Sequence, residues 1–169
     1  MPDTANAALL ILRVALGLVL TAHGIKHVRN REKTMTWTAS IGFSSPAIQW
    51  FFMAFAEIGV GLSLTFGLLT SVGAGGLVAL MVVAYWTVHR RAGFWITARP
   101  DEGWEYAFVL AVGAWALALL GPGEWAIDHA LEIADDLDGG VGAILAAGGV
   151  AAAAGQLALF FRPGRASQG

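Results

Sequence analysis

Apolar residues fall into five long runs separated by short polar stretches, at about 8–28, 47–69, 70–89, 104–120 and 141–161. Each approaches the roughly 20 residues that an α-helix needs to cross the hydrocarbon of a bilayer. Only Thr70-Ser71 and Gly73 separate the second run from the third, which predicts an antiparallel helical hairpin. The fourth run is the shortest, and Gly121-Pro122-Gly123 stops it. The fifth is nearly all Ala and Gly, including Gly142, Gly148, Gly149 and Gly155, and small residues let helix backbones approach closely in lipid. A weakly apolar helix lying on the bundle is the alternative for that run. The pattern predicts an all-α membrane protein of one domain, residues 1–169, with a four-helix transmembrane bundle and a fifth, C-terminal transmembrane helix.

Composition agrees. Of the 169 residues 57% are hydrophobic and 13% charged, against about 25% charged in an average soluble domain. The mean hydropathy is +0.65. A soluble fold of this size would expose large apolar patches, so soluble enzyme classes are excluded and the lipid bilayer is the expected surrounding. The absence of cysteine excludes disulfides, Cys-ligated zinc and Cys-bound iron–sulfur clusters. Redox chemistry would need a borrowed cofactor, and none intrinsic is expected. No basic patch with interleaved aromatics stands outside the loops, which argues against nucleic acid as a partner. Asp3 and the lack of a basic leader make the first run read as an uncleaved span rather than a signal peptide.

Charge fixes an expected orientation. Apart from Arg13, the basic residues are Lys26, Arg29, Arg31, Lys33, Arg90, Arg91, Arg99, Arg162 and Arg165. Five spans place them all on one side. The positive-inside rule makes that side cytoplasmic, with the N-terminus outside and the C-terminus inside. Without a fifth crossing the C-terminus moves outside. Trp50, Phe51, Phe52, Trp86, Phe94, Trp95, Trp104 and Tyr106 gather near the inner interface, where amphipathic rings settle. In the outer stretch 124–138, Ile127, Leu131 and Ala134 would share one helical face opposite Asp128, Glu132, Asp135 and Asp136. That reads as an acidic amphipathic helix on the outer surface, or else as a solvated acidic loop.

Ionisable residues at membrane depth are costly and mark candidate sites. Arg13 lies in the first span, with Gly17, Leu20 and Gly24 on its face. Glu57 lies near the middle of the second, with Gly61 one turn on. Their reckoned depths differ by about 6 Å, so the two are expected to form a buried ion pair, either structural or the charge centre of a proton or ligand site. A second polar group gathers near the cytoplasmic ends. It comprises His23, Lys26 and His27 with His89 and Glu105, of which His23, Lys26, His89 and Glu105 are the candidate ligand pocket. Such a set suits a quinone head or a small anion; simple interfacial hydrogen bonding is the plainer reading. No His-Glu-x-x-His pattern supports a metal, and none is expected. No nucleophile–base arrangement or phosphate-binding glycine loop is present.

Three stretches resemble the DoxX family of small bacterial membrane proteins. LLILRVALGLVLTAHGIKHV resembles its opening helix, and AEIGVGLSLTFGLLTSVGAGGLVALMVVAYWTVH its next hairpin, with the intramembrane glutamate and the Gly-Leu-Leu-Thr turn. GFWITARPDEGWEYAFVLAVGAWALALLGPGEWAIDHAL resembles its last shared portion, with Glu-Gly-Trp-Glu-Tyr and Gly-Pro-Gly-x-Trp. The fifth run resembles an extension of actinobacterial-type members. The resemblance implies roles for Arg13, Gly24, Lys26, Glu57, Glu105, Gly121, Gly123 and Asp128, with Ala126 standing where serine is common. It implies a plasma-membrane bundle with a redox association, its namesakes resembling subunits of thiosulfate–quinone oxidoreductase or quinol oxidase systems. The expected function is therefore an accessory subunit that anchors redox enzymes and offers a quinone-type pocket. Soluble or membrane redox enzymes and a second copy of the chain are the candidate partners. A proton-coupled carrier of a small metabolite and a structural assembly factor are the alternatives.

Overall fold

The structure is a computed structural model that describes residues 1–163; Arg165, used above for orientation, lies outside the described residues. The described chain is helical: α1 (Asp3–Arg29), α2 (Arg31–Ser40), α3 (Pro46–Phe66), α4 (Thr70–Thr87), a single 3-10 turn (His89–Arg91), α5 (Glu105–Leu120), α6 (Ile127–Ala130), α7 (Ala134–Leu137) and α8 (Gly139–Phe160). Among the described residues α1, α3, α4 and α8 are long and apolar enough to cross a membrane, whereas α5 has only 16 residues, about 24 Å of rise. Large apolar side chains such as Ile11, Ile144 and Leu159 point outward, as expected where the surrounding solvent is lipid.

In lipid, apolar side chains gain little by leaving the solvent, so helices associate through close packing and small residues. α1 and α3 do this with the same device, Gly17-x-x-x-Thr21 against Gly61-x-x-x-Thr65. Each threonine donates its hydroxyl back to the glycine carbonyl one turn earlier, at 2.8 Å. The space opposite each glycine is filled by the other helix. A Cβ on Gly61 would stand 2.7 Å from the Gly17 carbonyl, and one on Gly24 would stand 2.7 Å from that of Ala54. α4 meets α8 in the same manner, a Cβ on Gly75 standing 2.6 Å from the Leu145 carbonyl, and Gly142 of α8 lies directly on α5 at Ala118. Between these contacts Leu16, Leu20, Leu64, Leu77, Val78, Leu110, Ala114 and Leu117 form the buried core.

Two parts of the fold differ from expectation. The stretch 29–46 contains α2, which carries no apolar run; Thr34 and Thr38 are its buried residues. The outer stretch 124–138 is not one amphipathic helix but two turns, α6 and α7, interrupted where Glu132 takes φ 59°. Leu131, assigned to the apolar face, is exposed and Asp128, assigned to the charged face, is buried. The reason is that Asp128 has backbone partners at a neighbouring helix end, so the segment is held by that anchor rather than by amphipathic periodicity.

Gly61→Leu should therefore destabilise the protein by at least about 1–3 kcal/mol through overpacking. Gly59→Leu, at a position with nothing within 4 Å of an added Cβ, should leave stability unchanged. Thermal unfolding in detergent of the two purified variants checks the contrast.

Candidate functional site

Arg13 is 1% exposed and sits at the end of the bundle where α3 turns into α4. Its Nη1 donates to the Leu64 and Thr65 carbonyls at 3.4 Å, and its Nη2 to the Trp125 carbonyl at 2.6 Å. Asp128, also 1% exposed, accepts from the Leu69 and Thr70 backbone N–H groups at 2.6 and 2.8 Å, and its own N–H donates to the Gly67 carbonyl at 2.8 Å. A carboxylate thus caps the start of α4 and a guanidinium caps the end of α3, which is the polarity the helix dipoles favour. Gly67 turns with φ 68° and leaves no room for a Cβ beside the guanidinium. Asn6 ties the same end together: its amide donates to Glu124 at 3.1 Å, and its carbonyl accepts from the Glu124 backbone at 3.0 Å. The N-terminal ammonium also bonds Glu124, and chiefly for that reason the Glu124 carboxyl lies below its usual range.

Glu57 is elsewhere. Its carboxylate lies 3.6 Å from His27 Nε2, and no ion pair joins it to Arg13 among the described residues. The expected Arg13–Glu57 pair is therefore corrected. The glycine contacts set the register, with Gly17 against Gly61 and Gly24 against Ala54 and Ile58. Arg13 then stands level with Gly67, whereas Glu57 stands level with the stretch from His23 to His27, about 15 Å along α1. On its other side His27 Nδ1 lies 3.2 Å from the hydroxyl of buried Thr34. Thr34, His27 and Glu57 thus form one polar string from α2 through α1 to α3.

Glu57 also forms part of a cavity wall. A cavity of about 470 Å³ lies between α2, α3, α4, the His89 turn and α8. Its lining is mostly apolar, with Trp37, Phe52, Met53, Val60, Leu80 and Phe160 among the larger side chains, and with Thr38, Gln49, Glu57, Thr87, His89 and Gln156 as the polar groups. Gln49 is 3% and Glu57 8% exposed. The Gln49 carbonyl accepts from the Gln156 amide at 2.9 Å, but Gln49 Nε2 has no hydrogen-bond partner, and Glu57 Oε2 has only His27 Nε2, at 3.6 Å. Buried polar atoms are nearly always paired. The unpaired Gln49 amide and the Glu57 carboxyl on the wall of one apolar cavity of ligand size make this the candidate site.

Of the expected pocket His23, Lys26, His89 and Glu105, only His89 lines this cavity, its Nδ1 lying 2.6 Å from the Glu102 carbonyl. His23 and Lys26 are exposed and Glu105 begins α5, away from the lining. α1 turns Gly24 toward α3, which leaves His23 about 100° and Lys26 about 160° away around the helix. Among the described residues no three His, Asp or Glu gather as metal ligands would. The aromatic belt does assemble at this end of the bundle: Trp104 lies 4.8 Å from Phe94 and 6.1 Å from Tyr85, and Arg31 and Arg90 stack over Trp50 and Trp86. Sequence reasoning left out Gln49 and Gln156, although each is a polar residue within a hydrophobic run, and that signal was available.

A helical, multi-pass membrane protein with an apolar cavity among its helices is the class these features define. The DoxX family model matches residues 8–90, from α1 to the His89 turn. The chain belongs to the DoxX family. Comparison with curated proteins and with solved structures gives no match. The matched segment contains Arg13, His27, Gln49, Glu57 and His89, while Asp128 and Gln156 lie beyond it.

Double-mutant cycles on thermal stability should separate the two polar centres. Arg13→Ala with Glu57→Ala should be additive within about 0.5 kcal/mol, while His27→Ala with Glu57→Ala should couple by more than that. Asp128→Ala should cost about 1–3 kcal/mol, because it leaves the buried Thr70 N–H and the part-buried Leu69 N–H without an acceptor.

Proposed function

We propose that the protein is a membrane-embedded accessory subunit of a redox system, and that its cavity holds a quinone-type molecule. Glu57, a buried carboxyl on the wall of an apolar cavity with His27 Nε2 at 3.6 Å and no closer hydrogen-bond partner, carries the reading. A carboxyl there, with one imidazole beside it, can take a further polar group from an occupant, and the apolar lining suits a ring or an isoprenoid stem. This moves the candidate quinone site from the His23, Lys26, His89 and Glu105 level to the space between α3, α4 and α8. DoxX membership supports the redox association. In this reading the end bearing Lys26 to Lys33, the His89 turn and Arg162 faces the cytoplasm, and α5 crosses the bilayer with α1, α3, α4 and α8. That end and the acidic outer loop are the docking surfaces for partner enzymes.

One observation favours a second reading, proton-coupled carriage of a small metabolite. The Thr34–His27–Glu57 string joins the cavity wall to α2, as a proton path would. Uptake by proteoliposomes that depends on Glu57 would establish carriage in place of quinone binding.

Protein extracted in mild detergent should carry quinone at close to one per chain, measured by mass spectrometry of the organic extract. Ala79→Trp, which fills the cavity, should remove it while leaving the helical circular-dichroism signal intact. Quinone-free wild type, or equal quinone in both proteins, would reject the site. Reporter fusions after Arg31 and after Asp136 should report cytoplasm and exterior respectively, and the reverse result would overturn the orientation.

A further inference from the structure

Glu57 does not account for the whole cavity. Gln49 stands two turns before it on α3, about 12 Å along the axis, and lines the same space near the end bearing α2. Its carbonyl is held by Gln156 of α8, which commits that oxygen and leaves the Nε2–H₂ group as the free end of the amide. That group is a donor without an acceptor in a place water reaches poorly. The Glu57 carboxyl, which already faces His27, and Gln49 Nε2 therefore make different demands, and the apolar surface of Met53 and its neighbours separates them.

The position of Gln156 is itself fixed. The end of α8 is clasped to the loop between α2 and α3: the Ser44 backbone N–H donates to the Phe160 carbonyl at 2.8 Å, and that of Arg162 to the Gly42 carbonyl at 2.7 Å. The Phe43 and Phe161 rings pack 5.3 Å apart over this bridge. Gln156 lies one turn before Phe160 on α8, and both line the cavity. The clasp thus sets the glutamine that sets Gln49.

We infer that Gln49, oriented by Gln156, is the second contact of the ligand site and donates to a carbonyl-type oxygen of the occupant, so that α8 completes a site begun by the DoxX domain. The inference rests on the reading of the cavity as a ligand site, and it narrows the ligand to amphiphiles whose ring carries an acceptor oxygen. Gln49 is the contacting residue and Gln156 a positioning residue.

The test compares two probes of nearly equal shape, 2-methyl-1,4-naphthoquinone and 2-methylnaphthalene, the second lacking the carbonyls. Binding to the full-length protein in detergent is measured by equilibrium dialysis. Wild type should prefer the quinone. Gln49→Leu and Gln156→Leu should each weaken quinone binding about five- to tenfold, the worth of one neutral hydrogen bond, and leave binding of the hydrocarbon unchanged. Equal losses for both probes would make the glutamines mere shapers of the cavity and overturn the inference. Unchanged quinone binding in both variants, with loss in Ala79→Trp, would overturn it while the cavity reading stands. Failure of wild type to bind the quinone at all would overturn the cavity reading and the inference with it.

Discussion

A helical hairpin at membrane depth leaves backbone groups unpaired at both helix ends, and little water is there to satisfy them. The α3–α4 turn meets that constraint with two buried charges borrowed from elsewhere in the chain. Arg13 comes from α1 and serves the α3 carbonyls; Asp128 comes from the loop after α5 and serves the α4 N–H groups. Each charge also answers the dipole of the helix it caps, and the Arg13 bond to the Trp125 carbonyl joins the two providers. Three stretches distant in sequence are thereby fixed at one point. Either charge alone would be expensive in such surroundings; placed at opposite helix ends, both find partners that the hairpin has to offer in any case.

The position of the cavity follows from that anchor. Once Arg13 is level with Gly67, α1 and α3 have one register, and Glu57 must face His27 rather than Arg13. The distribution of small residues then shapes the bundle along its length. Gly73, Gly75, Gly142 and Gly149 bring α3, α4, α5 and α8 into close contact toward the Arg13 end. Toward the other end the facing positions are Phe52, Met53, Met81 and Phe160, and α2 closes over them with Trp37 and Thr38. Small residues close the Arg13 half, while in the other half these large side chains flank small ones at Ala56, Gly76, Ala79 and Ala84, so the void arises from packing.

This division explains what the sequence could and could not reveal. The helices α1, α3, α4, α5 and α8 were legible because apolar runs of near-membrane length have few other physical outcomes. α2 was not, because its charged and hydroxylated residues give no apolar run and only Thr34 and Thr38 are buried. The intramembrane charges were legible as important, but not their partners: counting residues from each end of a run placed Arg13 and Glu57 about 6 Å apart, where the glycine register separates them by about 15 Å. The DoxX resemblance implied a role for Asp128, but the residues alone read it as one acid among several in a surface loop, since nothing local reveals that its partners are the N–H groups of Leu69 and Thr70.

Gln49 and Gln156 escaped notice for a different reason, and it bears on how such proteins are read. A search for costly residues ranks charges above amides, because a charge is far harder to bury unpaired. In this bundle that ranking separates architecture from recognition. The most expensive group, Arg13, is engaged by fixed carbonyls and has little left to offer an occupant beyond a crowded Nε. An amide costs less to leave unpaired, so the fold can tolerate one in a cavity wall, which a ligand site requires before its ligand arrives. The same holds for a carboxyl, such as that of Glu57, that can exist in neutral form. Uncharged or neutralisable polar groups at membrane depth are therefore where binding should be sought once the obligate charges have been matched to helix ends.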